Sequence, residues 1–170
     1  MKYMAILFSL LFALNAPSLA DTPEETEDVS APELVDTAGV VTEVADDHLL
    51  IDTATHGQVH VHLTDETAYE GEAPVAGAYV HVINNGAMTM SIPPQITALR
   101  VGCYAFAGTV TEVAEGSFVL AGDEMTYQVN AEDEKLAGLT EGQTVTVYSN
   151  GAMTRSIPPQ IYGERIVAAE

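Results

Sequence analysis

One cysteine, no tryptophan and five lysines and arginines among 170 residues are the scarcities that constrain this chain. A lone Cys103 cannot form an intrachain disulfide, and within GCYAFAG it reads as a small buried hydrophobe rather than an intermolecular bridge. The few cations stand against 25 acids, for a formal charge of −20. Such a field repels phosphate backbones and anionic lipid surfaces, so nucleic acid is an expected non-partner. Aromatics, at 6%, are too sparse for the stacking faces that single strands of nucleic acid use. Long apolar runs are lacking apart from Tyr3–Ala16, which is short for a membrane span. With Lys2 before it and Ser18-Leu19-Ala20 after it, that run reads as a signal peptide over residues 1–20. The expectation is an exported protein, periplasmic or extracellular, with no membrane insertion once the signal is removed. Loss of Lys2 leaves four cations against 25 acids, 4 − 25 = −21, which suits either solubility in a saline medium or capture of cations.

What the chain has in abundance is repetition. NGAMTMSIPPQI at 85–96 returns as NGAMTRSIPPQI at 150–161, identical at eleven of twelve positions and 65 residues apart. Before the first copy, residues 21–37 hold seven acids and two prolines and read as a disordered acidic lead. Then GVVTEV, HLLID, QVHVHL, AYVHVIN and QITALRV alternate as five short strands, with a polar connection at 64–77 between the third and fourth. GTVTEV, SFVLA, MTYQVN, QTVTVYS and PQIYGERIV repeat the plan, with a connection at 130–142 of better helical composition. The expected fold is all-β, two tandem five-stranded OB-like Greek-key barrels with a short helical turn between strands 3 and 4. The first barrel spans 38–101 and the second 108–168. A linker at 102–107 is expected to place Tyr104 and Phe106 between them. Glu43 with Arg100, and Glu112 with Arg165, occupy matched places and are expected to form cross-strand ion pairs.

The pattern G-x-V-x-E-V, then G-x-x-V-x-V, then S-I-P-P-Q falls at Gly39–Val44, Gly77–Val82 and Ser91–Gln95. It falls again at Gly108–Val113, Gly142–Val147 and Ser156–Gln160. It resembles small uncharacterised OB-like barrel domains of exported bacterial proteins. The resemblance implies fold and export, and no activity.

Two groups of residues are candidates for function. In the repeated loops, Asn85 and Asn150 begin turns, the paired prolines set an extended approach to strand five, and Ser91, Gln95, Ser156 and Gln160 can satisfy loop backbone. Met88 and Ile92 are expected to plug the barrel end. The alternative makes the loops, including Met88 and Met153, matched binding surfaces for a protein, glycan or small ligand in the cell envelope or outside. No nucleophile–base pair occurs in the loop, so the expectation is not an enzyme and no catalytic residue is assigned.

The second group is histidine, all five in the first repeat: His48, His56, His60, His62 and His81. With Val59, Val61 and Leu63 inward, His60 and His62 share an outer face. Pairing Ile51 with Val59 sets Leu50 opposite His60 and His48 opposite His62. Three imidazoles with an open fourth position suit Zn²⁺ or Cu²⁺, with Asp47 as a further ligand or a supporting acceptor. Solvated outward histidines are the plainer reading of the same pattern. Ser117, Thr126, Gln128 and Thr146 are taken as the counterparts of His48, His60, His62 and His81.

Overall fold

The alternating run that marks the third strand is matched by burial: Val59 and Val61 are fully enclosed while His60 and His62 are half-exposed on the other face. The computed structural model describes residues 33–169; the expected signal peptide and residues 21–32 of the expected acidic lead lie outside the described residues. The fold is all-β. Its first half comprises β1 (Val35–Val44), β2 (His48–Thr53), β3 (Gly57–His62), β4 (Ala68–Gly71), β5 (Tyr79–Asn84) and β6 (Gln95–Thr97). Strand β7 (Arg100–Ala114) leads into β8 (Ser117–Ala121), β9 (Thr126–Asn130), helix α1 (Asp133–Leu136), β10 (Thr144–Ser149), β11 (Gln160–Tyr162) and β12 (Arg165–Ala168). No helix among the described residues is long and apolar enough to cross a membrane.

The two halves pair their strands in the same order. Each opens on a bulged strand: β1 shifts register between Val41 and Glu43, and β7 between Val110 and Glu112. Hairpins β1–β2–β3 and β7–β8–β9 follow, and β5 and β10 pair back onto β1 and β7. The fifth strand of each half is split. β6 runs parallel to β3, and after Ala98 and Leu99 the chain re-enters as β7, antiparallel to β5. Ala98 donates to His62 of β3 while Leu99 donates to Ile83 of β5, so two consecutive amides bridge the gap between the sheet's edges. Gly163 and Glu164 repeat this, donating to Asn130 and Tyr148. The architecture is thus barrel-like, but the ladder is interrupted where strand five breaks and does not close as an unbroken barrel.

Three expectations are corrected here. Residues 102–107, read as a linker, are the middle of β7; Gly102 and Cys103 are buried and Tyr104 to Gly108 pair with β10. The run GCYAFA has no polar residue to alternate with its apolar ones, so the strand's period cannot be read from it. Phe106 therefore packs in the second core, edge-on to Tyr127 at 5.0 Å, rather than between two separate bodies. The connection at 64–77 carries strand β4, parallel to β7, and only the second connection has the helical turn, four residues long. The last residues of the acidic lead, 35–37, belong to β1.

The expected ion pairs do not form. Glu43 stands beyond the bulge, opposite Leu50, whereas Arg100 lies opposite Ile83 and bonds Glu70 at 2.9 Å. Glu70 also accepts from the Tyr104 hydroxyl, and that bond, with Arg100, holds its carboxyl below the ordinary range. Arg165 donates instead to the Gly77 carbonyl, at 3.0 Å, tying the second half to the first.

Each half has its own core. Val41, Leu49, Ile51, Val59, Val61, Val80, Val82, Ile96 and Val101 fill the first, with Cys103 buried beside them as expected. Val110, Phe118, Leu120, Val129, Val145, Val147 and Ile161 fill the second. Burial pushes the Cys103 thiol up, away from the reactive thiolate.

Candidate functional site

Each repeated loop folds back over an edge of the sheet, since β6 and β11 are its two end strands. The bonds that brace the two loops match pair by pair. Thr89 donates its amide to the Gln95 carbonyl at 3.0 Å and accepts the Gln95 amide on its hydroxyl at 2.9 Å. Thr154 and Gln160 do the same at 3.0 and 2.8 Å. Ser91 and Ser156 reach the Pro93 and Pro158 carbonyls, both at 2.8 Å, and share a 2.7 Å bond with the neighbouring threonine. Asn85 and Asn150 accept the amides of Ala87 and Ala152. Open sheet edges invite pairing with other chains, and these loops cover part of both edges. Thr154→Val should make the Gln160 amide exchange with solvent about 10-fold faster, the loss of about one hydrogen bond. Hydrogen-exchange NMR reads this directly, and an unchanged rate would mean that the loop is held by something else.

Between loop and edge strand lie two equivalent clefts. Ala87, Met88, Thr89, Gln95, Ile96, Thr97 and His62 line the first, of about 350 Å³. Ala152, Met153, Thr154, Gln160, Ile161, Tyr162 and Asn130 line the second, of about 290 Å³. Met88, Met153, Gln95 and Gln160 line the clefts, whereas Asn85, Ser91, Asn150 and Ser156 brace the loops. Ile92 corrects the plug expectation. Met88 packs against the core, but Ile92 is 100% exposed and its counterpart Ile157 99%. Met90 beside Ile92 is likewise fully exposed. Both isoleucines precede cis prolines at the tip of their loops.

The histidine face has the expected register: Ile51 opposite Val59, Leu50 opposite His60 and His48 opposite His62. His48 stacks on His60 with centroids 4.4 Å apart and planes at 16°, and His60 meets His62 at 4.5 Å and 54°. His48 Nδ1 lies 2.8 Å from Asp47 Oδ1, and His62 Nε2 lies 3.0 Å from Gln95 Oε1, so the stack abuts the first cleft. His60 Nδ1 is buried without a partner. Burial pushes the His60 pKa below the ordinary histidine value, and the neighbouring His62 and His48 push it the same way. His56 is in the exposed β2–β3 turn. His81 is separate, bonded through Nδ1 to Asp36 at 2.8 Å, and lines another cavity with Glu70, Arg100 and Tyr104.

The counterparts in the second half need correction. Ser117 pairs with Asn130 as His48 pairs with His62, so Asn130 and Gln128, not Gln128 and Thr126, stand for His62 and His60. The β8–β9 hairpin is one residue shorter at its turn, which shifts the alignment by one beyond it. Thr146 does stand for His81, each opposite an alanine of its first strand.

The chain matches no family model and no curated protein. Among solved structures it is similar to Drosophila Unr CSD456, at 12% identity and a TM-score of 0.30, over 80% of this chain and 62% of that one. That protein has cold-shock domains, a nucleic-acid-binding type, and the expected exclusion of nucleic acid is corrected on that finding. At that TM-score the likeness brings no ligand to this chain.

Proposed function

We propose that the chain is an exported, non-enzymatic binding module that engages its ligand with the tips and clefts of its two repeated loops. The observation that carries this reading is the pair Ile92 and Ile157. Each is an isoleucine wholly in water, on a loop braced by the same set of hydrogen bonds. Single exposed apolar residues are ordinary on protein surfaces. Here the same one stands at the same place twice, with a cleft floored by methionine and isoleucine below each. A braced loop loses little backbone entropy on binding, because it is ordered beforehand. Export rests on the charge and small-residue pattern of residues 1–20.

The ligand this tip suits offers a shallow apolar pocket flanked by hydrogen-bonding groups for the exposed backbone and Gln95 or Gln160. The test uses a random-peptide display library and a glycan array, each read on the mature chain and on Ile92→Ser with Ile157→Ser. Ligands selected on the unaltered chain should bind the double variant at least about 30-fold more weakly, within the range that one buried apolar side chain contributes. Ligands that bind both proteins equally, or the absence of any selection, would remove the loops from the function.

A further inference from the structure

We propose that His48, His60 and His62 form a binding site for one divalent transition-metal ion, of the Zn²⁺ or Cu²⁺ class, that the second half of the molecule lacks. Asp47 Oδ1 lies 2.8 Å from His48 Nδ1. A carboxylate only accepts, so Nδ1 carries the hydrogen and Nε2 carries a lone pair. Gln95 Oε1 likewise only accepts, so His62 keeps its hydrogen on Nε2 and its lone pair on Nδ1. Both outer rings are therefore held through one nitrogen with the other left to donate electrons, the arrangement by which acceptors orient metal-binding histidines. Between them, His60 Nδ1 is buried and unpartnered, and a buried polar atom without a partner calls for an explanation such as an ion. Imidazole nitrogens select Zn²⁺ and Cu²⁺ over Ca²⁺ and Mg²⁺, which prefer oxygen.

Among the described residues no three His, Cys, Asp or Glu side chains already converge on a metal position. The stack explains this. Lone pairs lie in the ring planes, and planes 16° apart cannot both point at one ion. Binding therefore requires the His60 ring, which no side-chain hydrogen bond holds, to turn out of the stack while His48 and His62 keep their bonds to Asp47 and Gln95. The second half supplies the comparison: Ser117, Gln128 and Asn130 occupy the three places, and Gly116 stands where Asp47 does.

The experiment is calorimetric titration of the full mature chain with ZnCl₂ and with CuCl₂, in excess CaCl₂ to occupy the carboxylate surface. It is repeated on His48→Ser with His60→Gln and His62→Asn. These residues are those of the other half, so the variant is expected to fold, and its thermal transition checks that. The expected result is one equivalent bound at micromolar affinity or tighter, at least about 100-fold weaker in the triple variant. Asp47→Asn should weaken binding about 10- to 100-fold while leaving stoichiometry at one. Imidazole ¹⁵N signals should show Nε2 of His48 and Nδ1 of His62 as the nitrogens that shift. Binding that does not saturate, that is lost to calcium, or that survives in the triple variant would overturn the site. The proposal is independent of the loop-binding reading, since Ile92→Ser with Ile157→Ser should leave metal affinity unchanged.

Discussion

Phe118→Ala should lower the unfolding free energy by about 4 kcal/mol, the usual cost of emptying a buried aromatic site. Phe118 is the largest fully enclosed side chain of the described residues, 1% exposed, and sits among Val110, Leu120, Val129, Val145 and Val147. Four of these five neighbours are valines on paired strands, whose β-branched side chains have few rotamers with which to collapse into the space. Leu49 holds the equivalent place in the first half, since Leu49 pairs with Val61 as Phe118 pairs with Val129. Leu49→Ala should therefore cost about 3 kcal/mol. Urea denaturation followed by far-ultraviolet circular dichroism reads both, with the slope unchanged if the loss is one of stability alone. Because β7 lines both cores, each variant should keep a single transition. A drop below about 1 kcal/mol for Phe118→Ala would mean that the second core is not built around that ring.

The next largest effect belongs to two glycines. A β-carbon on Gly39 would lie 2.6 Å from the Asp52 carbonyl oxygen, and one on Gly108 would lie 2.5 Å from that of Ala121. Both obstacles are backbone of the adjoining strand, so relief requires the strand pair to move apart just before the bulge. Gly39→Ala and Gly108→Ala should each cost about 3 kcal/mol, at the upper end for a single substitution. Gly116→Ala is the control: its turn has φ of +70° but open space around the new methyl, and should cost about 1 kcal/mol. Equal costs at all three positions would show that backbone conformation, not close approach, explains the matched pair.

Those glycines show how much of the fold was legible in advance. G-x-V-x-E-V was readable as a strand, and its duplication as a second copy, because glycine, valine and glutamate each answer to a local demand. The glycine admits a neighbouring carbonyl, the valine enters the core, and the glutamate emerges beyond the bulge. Alternation also yielded the His48–His62 register, because one face of β3 is buried and a slip would expose Val59 and Val61. Gly102–Ala107 has no polar residue to mark an alternation, so it reads as a linker. The partners of Arg100 and Arg165 were out of reach for another reason. Glu70 lies on a strand the polar connection conceals, and Gly77 offers only a backbone oxygen. The bracing role of Ser91 and Ser156 is legible, whereas the Gln95 and Gln160 side chains turn to His62 and Asn130. Hydrophobicity alone points Ile92 of the first loop inward. Its threonine and serine bonds decide it instead.

The continuity of β7 has a consequence for valency. Two binding modules joined by a flexible tether meet a second site with a probability set by chain statistics, which falls as the tether lengthens. Here the joint is a fifteen-residue strand hydrogen-bonded on both flanks, so the separation of the two loop tips is a fixed length rather than a distribution. On the proposed loop-binding reading the molecule would act as a gauge: a ligand whose repeating sites match that separation would gain about 10²- to 10⁴-fold in avidity, and one with the same sites at another spacing would gain nothing.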